Sequence, residues 1–293
     1  VIAVARVEYG VVHTANGGLW WQGSTPNTDP VIGQIQADGS GSSWITSTFH
    51  GIGIDPEDDA HWIGLYGNGP AWIIRSTDKG QTWDKVKELT DFNITDDSSY
   101  FHRRWVFWHR QNPDIIYAGS WKSTDRGESW IELPDKRAVT DMSSENGDVV
   151  LHRVFGEYLF SRDAGQTWHA IPPPPRDPVT LALGPERPNG RNAGIVAIDP
   201  DPLRDPTVPG QFLRFIVGTR NGVVEFEATN QDATQGTWTV RDEGIIVEDD
   251  KWIEDGQAVY FSSVAFDPRP GKHHVAYTAA ENGSAWLNTQ SST

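Results

Sequence analysis

The chain has 293 residues and a formal charge of −16, from 40 acidic against 24 basic side chains. That balance argues against general nucleic-acid binding and attachment to an anionic membrane, which need clustered Lys and Arg, and no apolar run approaches the roughly 20 residues that span a bilayer. Fourteen Trp, 11 Phe and 7 Tyr supply enough apolar surface to exclude a disordered chain, and the absence of Cys removes disulfides, Cys-ligated zinc and thiol nucleophiles.

Two repeats organise the chain. In chain order, the octapeptide Thr14-Ala15-Asn16-Gly17-Gly18-Leu19-Trp20-Trp21 comes first. The apolar run Gly51–Ile54 then ends in Asp55-Pro56 and leads to Trp62–Gly67 and to Ser76-Thr77-Asp78-Lys79-Gly80-Gln81-Thr82-Trp83. A looser copy follows: Val106-Phe107-Trp108, Asn112-Pro113, Ile115–Gly119, then Ser123-Thr124-Asp125-Arg126-Gly127-Glu128-Ser129-Trp130. Ser161-Arg162-Asp163-Ala164-Gly165-Gln166-Thr167-Trp168 is the next octapeptide. Ile195–Ile198 ends in Asp199-Pro200 and leads to Phe215–Thr219, with a degraded octapeptide expected between Thr229 and Trp238. Last come Ser263–Phe266, Asp267-Pro268 and Val275–Thr278.

The shared octapeptide pattern, S/T-x-D/N-x-G-x-x-W, reads as a hairpin turn. Its Asp or Asn side chain can accept backbone N–H groups, Gly can take a positive φ that a Cβ opposes, and Trp starts the outgoing strand and folds back over the turn. The architectural role is favoured over a catalytic one for Asn16, Trp21, Asp78, Gly80, Trp83, Asp125, Gly127, Trp130, Asp163, Gly165 and Trp168. The runs ended by Asp-Pro or Gly read as strands of an antiparallel meander, and no window holds a 3.6-residue apolar period, so almost no helix is expected.

The unit is therefore strand A, an Asp-Pro turn, strand B, a Gly turn, strand C, the octapeptide and strand D. Four strands repeated every several tens of residues predict an all-β fold, a β-propeller of four-stranded antiparallel blades, six or seven when intact. One propeller over residues 1–293 is expected, with blades near 1–23, 47–87, 101–133, 137–171, 192–242 and 259–291. Strand A of the first and strand D of the last are missing. A fragment of a larger propeller is favoured over a six-unit ring with unusual closure.

The octapeptide resembles the Asp-box, or BNR repeat, and the whole chain resembles the Asp-box β-propeller superfamily, which includes sialidases, xyloglucanase-type glycoside hydrolases, sortilin-like receptors and a photosystem II assembly factor. The Asp-Pro strands together with S-T-D-x-G-x-x-W most resemble the xyloglucanase and sortilin branch. The Arg-Ile-Pro segment of sialidases and the Asp-Val-Gly-Gly segment of xyloglucanases are both absent. The resemblance thus implies the fold and leaves the activity open.

The resemblance also implies that the D-to-A and B-to-C loops line the face opposite the octapeptides. Four D-to-A loops are long: 22–46, 88–100, 172–191 and 243–258. Arg103, Arg104, Arg137 and Arg191 fall near strand-A starts and are candidate ligand-binding residues, because guanidinium groups around one mouth would pair with a carboxylate. Asp141, Glu254 and Tyr260 are the catalytic candidates, should the chain be an enzyme. Neither a cofactor nor a metal site is expected.

The leading expectation is a non-catalytic recognition or scaffold propeller that binds a glycan or protein partner on its loop face. A glycoside hydrolase of xyloglucanase or sialidase type is the alternative, and a structural subunit of a larger extracellular assembly is the third reading. Further blades, from a longer chain or a partner subunit, are expected partners; nucleic acid and membrane insertion are not. The acidic surface and absent thiols favour an extracellular or cell-surface setting.

Overall fold

A computed structural model describes residues 2–6, 10–14, 22–24, 49–66, 71–80, 82–89, 105–154, 157–174, 196–219, 222–240, 261–266 and 276–280. These divide into two compact units, Val1–Val139 and Thr140–Thr293. Among the described residues the only helical pieces are two 3-10 turns, Pro134–Lys136 and Pro202–Arg204, and no helix is long and apolar enough to cross a membrane.

In the first unit, β1 (Ile2–Arg6), β2 (Gly10–Thr14) and β3 (Gln22–Ser24) form a three-stranded sheet. A four-stranded sheet follows from β4 (Phe49–Ile54), β5 (Trp62–Tyr66), β6 (Ala71–Ser76) and β7 (Asp84–Leu89), and another from β8 (Val106–Trp108), β9 (Ile116–Ala118), β10 (Trp121–Ser123) and β11 (Ile131–Glu132). The second unit holds a sheet of β12 (Asp141–Met142), β13 (Val150–Val154), β14 (Glu157–Ser161) and β15 (His169–Ala170). It continues with β16 (Val196–Ile198), β17 (Arg214–Thr219), β18 (Gly222–Ala228) and β19 (Gly236–Val240), and then the pair β20 (Phe261–Phe266) and β21 (Ala276–Ala280). Every pairing is antiparallel and every sheet takes its strands in chain order.

Within each unit the first strands of successive sheets are neighbours: β4 packs on β8, β12 on β16 and β16 on β20. The approach is close. A Cβ on Gly53 of β4 would lie 2.8 Å from Val106 Cγ1 of β8, so the absence of a side chain at 53 sets the spacing between these sheets.

β5, Trp-Ile-Gly-Leu-Tyr, is buried at all five positions. Side chains alternate across a strand, so Ile63 and Leu65 enter one cluster with Trp108, Ile116 and Trp130, while Trp62 and Tyr66 enter another with Ile74 and Trp83. A sheet covered on both faces needs apolar residues at consecutive positions, which explains the short unbroken apolar runs. In the second unit Leu151, Tyr158, Phe160, Phe215, Val224 and Phe226 share one core, with Trp238 packed against it. Trp238 meets Tyr158 at 5.3 Å and Phe215 at 5.5 Å, both edge-to-face, contacts that contribute about 0.5–1.5 kcal/mol each beyond the area they bury.

Candidate functional site

Three octapeptide turns are described, and the Ser, Asp and second Ser or Thr side chains of each bond to groups within their own eight residues. Ser76 Oγ donates to Asp78 Oδ1 at 2.7 Å and accepts the Gly80 N–H at 2.8 Å, while Asp78 Oδ1 accepts the Thr82 N–H at 2.8 Å. The same set recurs at Ser123, Asp125, Gly127 and Ser129 with 2.8, 2.8 and 2.9 Å, and at Ser161, Asp163, Gly165 and Thr167 with 2.7, 2.8 and 2.8 Å.

Lys79 and Gly80, Arg126 and Gly127, and Ala164 and Gly165 all have positive φ, the glycines at 79°, 89° and 79°. The bonds from the Ser129 hydroxyl and backbone hold Asp125 below the usual carboxylate range. At Asp163 burial acts upward, but the bonds from Thr167 prevail and its carboxyl is also lowered. A carboxylate committed to three or four local donors is a poor proton shuttle.

The tryptophans differ. Trp83 Nε1 donates to Gly80 O at 3.0 Å and Trp130 Nε1 to Gly127 O at 3.1 Å. The buried Trp168 Nε1 has no partner among the described residues, and its ring meets His152 edge-on at 5.9 Å. Asn16 and Trp21 lie outside the described residues.

The degraded copy makes a different turn. Asn230 Oδ1 accepts the Gln235 N–H at 3.0 Å, Asn230 Nδ2 donates to Thr234 Oγ1 at 2.7 Å, and Ala233 takes the positive φ, 51°. Gly236 belongs to β19, where a Cβ would stand 2.4 Å from Phe226 Cζ and 2.5 Å from Glu227 O. Its glycine answers to ring packing instead of turn geometry.

Each described octapeptide also leans on the A-to-B turn of its own sheet. Lys79 N–H donates to Ala60 O, Arg126 N–H to Asp114 O, and Ala164 N–H to Asp148 O, at 3.1, 3.1 and 2.8 Å. Arg126 goes further and binds the preceding sheet. Its Nε and Nη2 fork onto Asp55 at 2.6 and 3.0 Å, and Nη2 reaches Glu57 at 2.7 Å.

Burial alone would raise the Asp55 carboxyl, yet Arg126 and the N–H groups of Glu57 and Asp58 hold it below its ordinary value. His61 Nδ1 stands 3.3 Å from Asp55, and burial nonetheless lowers the imidazole. A groove of about 480 Å³ opens beside this network, lined by Ile54, Asp55, Pro56, Asp58, Trp108 and Arg110 among others. Its carboxylates are largely engaged: Asp59 with Lys79, and Asp55 and Glu57 with Arg126.

Asp199 occupies the corresponding Asp-Pro position in the second unit and bonds to Arg214. Burial outweighs that cation and raises its carboxyl. Sequence reading assigned these Asp residues only a turn; their ion pairs depend on cations that arrive from elsewhere in the fold.

Of the candidate loop-face residues, Arg137 follows the 3-10 turn Pro134–Lys136 and is half-buried. Asp141 opens β12, and its Oδ2 accepts the Ile198 N–H from β16 at 2.6 Å. Desolvation pushes its carboxyl up to about 7, against the opposing bonds from the Ile198 and Met142 N–H groups. Arg103, Arg104, Arg191, Glu254 and Tyr260 lie outside the described residues. Among the described residues no group of three or more His, Asp or Glu is placed to hold a metal ion.

The A-to-B connection of β16 and β17 was missed by sequence reading. It runs over 199–213, fifteen residues, whereas 55–61, 109–115 and 143–149 are seven each. The signal was countable in the spacing from Asp199-Pro200 to Phe215.

No protein-family model and no curated protein sequence matches the chain. Its fold is similar to solved β-propeller structures. Over 96% of its length it resembles the GH74 xyloglucanase from Xanthomonas campestris, with 15% identity and a TM-score of 0.58, and an ancestral GH74 enzyme, with 13% identity and a TM-score of 0.56. It covers 40% and 33% of those chains, so it spans two fifths or less of their length. It also resembles YCF48 bound to D1 peptide over 96% of its length, covering 71% of that chain, with 14% identity and a TM-score of 0.51. Sequential four-stranded antiparallel sheets with neighbouring first strands, together with these likenesses, define the class: an all-β protein with a β-propeller fold.

Proposed function

We propose that the chain is a recognition or scaffold propeller of the Asp-box kind, extracellular or at a cell surface, that holds a protein or glycan at its B-to-C and D-to-A loop end. The observation that carries this reading is the fate of Asp141. Its Oδ2 is committed to the Ile198 N–H at 2.6 Å, which supports a structural tie between first strands as its role. A peptide-bound neighbour of the same fold, YCF48 bound to D1 peptide, supports a protein as the partner. Six or seven blades complete the ring, with further blades from a longer chain or a partner subunit.

The test is binding of purified protein to immobilised glycans and peptides, with reducing-sugar release measured in parallel. Retention on one such ligand without hydrolysis is expected; turnover of xyloglucan or a sialoside at a useful rate refutes the reading. One observation favours a glycoside hydrolase instead: a carboxyl held near 7 is protonated at the pH where a general acid must be. On that reading Asp141→Asn abolishes hydrolysis and Arg137→Ala weakens it.

A further inference from the structure

From the fifteen-residue connection 199–213 we infer a second interaction surface, a rigid apolar ridge that docks a cationic segment of a partner protein. This surface is at the A-to-B turn end of its sheet, opposite to the B-to-C and D-to-A loops, and does not rest on the reading above.

The connection is built, not slack. Asn146 Nδ2, from the A-to-B turn of the neighbouring sheet, donates to Asp205 Oδ2 and Thr207 Oγ1, both at 3.1 Å. Gln231 Nε2, from the C-to-D turn, donates to Pro206 O and Val208 O at 3.2 and 3.1 Å. Asp205 N–H donates to Gln211 Oε1 at 3.1 Å, and Pro202, Pro206 and Pro209 restrict the backbone further. These bonds tie the loop to its neighbours, yet they leave Leu203 69% and Val208 41% exposed, beside exposed Pro202 and Pro209. Apolar side chains displayed on a backbone that is already ordered lose little conformational freedom on binding, which is the property of a docking ridge.

Charge names the partner. Asp201 Oδ1 accepts the Leu203 N–H at 2.9 Å, and Asp205 accepts from an amide, a hydroxyl and a backbone N–H. Neither carboxylate has an ion pair among the described residues, and Arg204 between them is engaged by Glu227 at 2.6 Å. Two carboxylates without an ion pair among the described residues therefore lie two positions either side of Leu203 in the chain. On a chain of net charge −16, a second copy is repelled, whereas a segment bearing Lys or Arg next to an apolar face is attracted at both levels.

The test selects random twelve-residue peptides displayed on phage against the intact protein, then measures their affinity for native protein, Leu203→Ser with Val208→Ser, and Asp201→Asn with Asp205→Asn. The exposed serine substitutions leave the fold and thermal midpoint unchanged. Enriched peptides are expected to combine apolar residues with net positive charge, to bind the serine variant about tenfold more weakly, and to weaken as salt rises from about 50 to 200 mM. The asparagine variant is expected to lose most of that salt dependence. Equal affinity for native and serine-substituted protein, neutral or acidic selected peptides, no enrichment over a blank support, or self-association of the native chain that the serine variant abolishes each overturns the inference. Glycan or peptide binding at the loop end persists in the serine variant, so the two surfaces fail independently.

Discussion

Replacing Asp141 by Asn gives a direct measure of the cost of a buried charge in this fold. The carboxyl titrates at about 7 when folded and at about 3.9 in an unfolded chain. The native state therefore keeps a proton that the unfolded state releases, and stability falls as pH rises from about 4 to about 7. The full loss above that window is about 4 kcal/mol, at roughly 1.4 kcal/mol for each tenfold difference in proton affinity.

Asn is neutral at every pH and keeps an oxygen for the Ile198 N–H, which Asp141 Oδ2 accepts at 2.6 Å. The comparison is made by urea unfolding at about pH 4, 6 and 8, since urea does not screen charge. The two proteins should agree near pH 4 and diverge steadily, with the variant the more stable by up to about 4 kcal/mol at pH 8. All other titrating groups cancel in the difference. A gap that stays constant with pH, or a variant that is the less stable at pH 8, refutes the argument that burial governs this carboxyl.

Four further outcomes follow from contacts already described. Ser123→Ala leaves the Gly127 N–H, now 2.8 Å from Ser123 Oγ, without an acceptor and should cost about 1–3 kcal/mol in urea unfolding. Gly127→Ala combines a φ of 89° with a new methyl 2.9 Å from Ile63 Cδ1 and should lower the thermal midpoint by a loss of similar size, about 1–3 kcal/mol. Gly236→Ala should cost at least as much, about 2 kcal/mol or more, because the obstruction includes the Glu227 carbonyl, which cannot swing aside; its readout is loss of amide protection along β18 and β19. Arg126→Gln removes the fork on Asp55, so a carboxyl now held low turns upward; the variant's deficit should be greatest near neutral pH and close as Asp55 is protonated on acidification, measured by stability against pH.

The fold was legible where its causes are local. Ser76, Asp78 and Gly80 cooperate within five residues, so their spacing alone carries the turn. The unbroken apolar run of β5 carries its burial on both faces in the same way. The reading weakened where partners come from afar. Gly236 looks like a turn glycine beside Trp238, yet Phe226 on the paired strand decides its role, and Asn230 replaces the missing Asp by closing a different loop. Asp141 could be placed at a strand start from spacing, but its proton affinity depends on β16, more than fifty residues away. Nothing in the local sequence around Asp55 announces Arg126, which reaches it across 71 positions.

The self-contained wiring of the octapeptides bears on how such a chain can grow. Because the serine and aspartate of each copy bond to groups of the same eight residues, a duplicated segment arrives with the shape of its corner already specified. Only the contacts that cross between sheets, such as the Gly53 approach to Val106, must be renegotiated at each new junction. The corner of each module is thereby specified locally, while the demand of fit falls on the seams between modules.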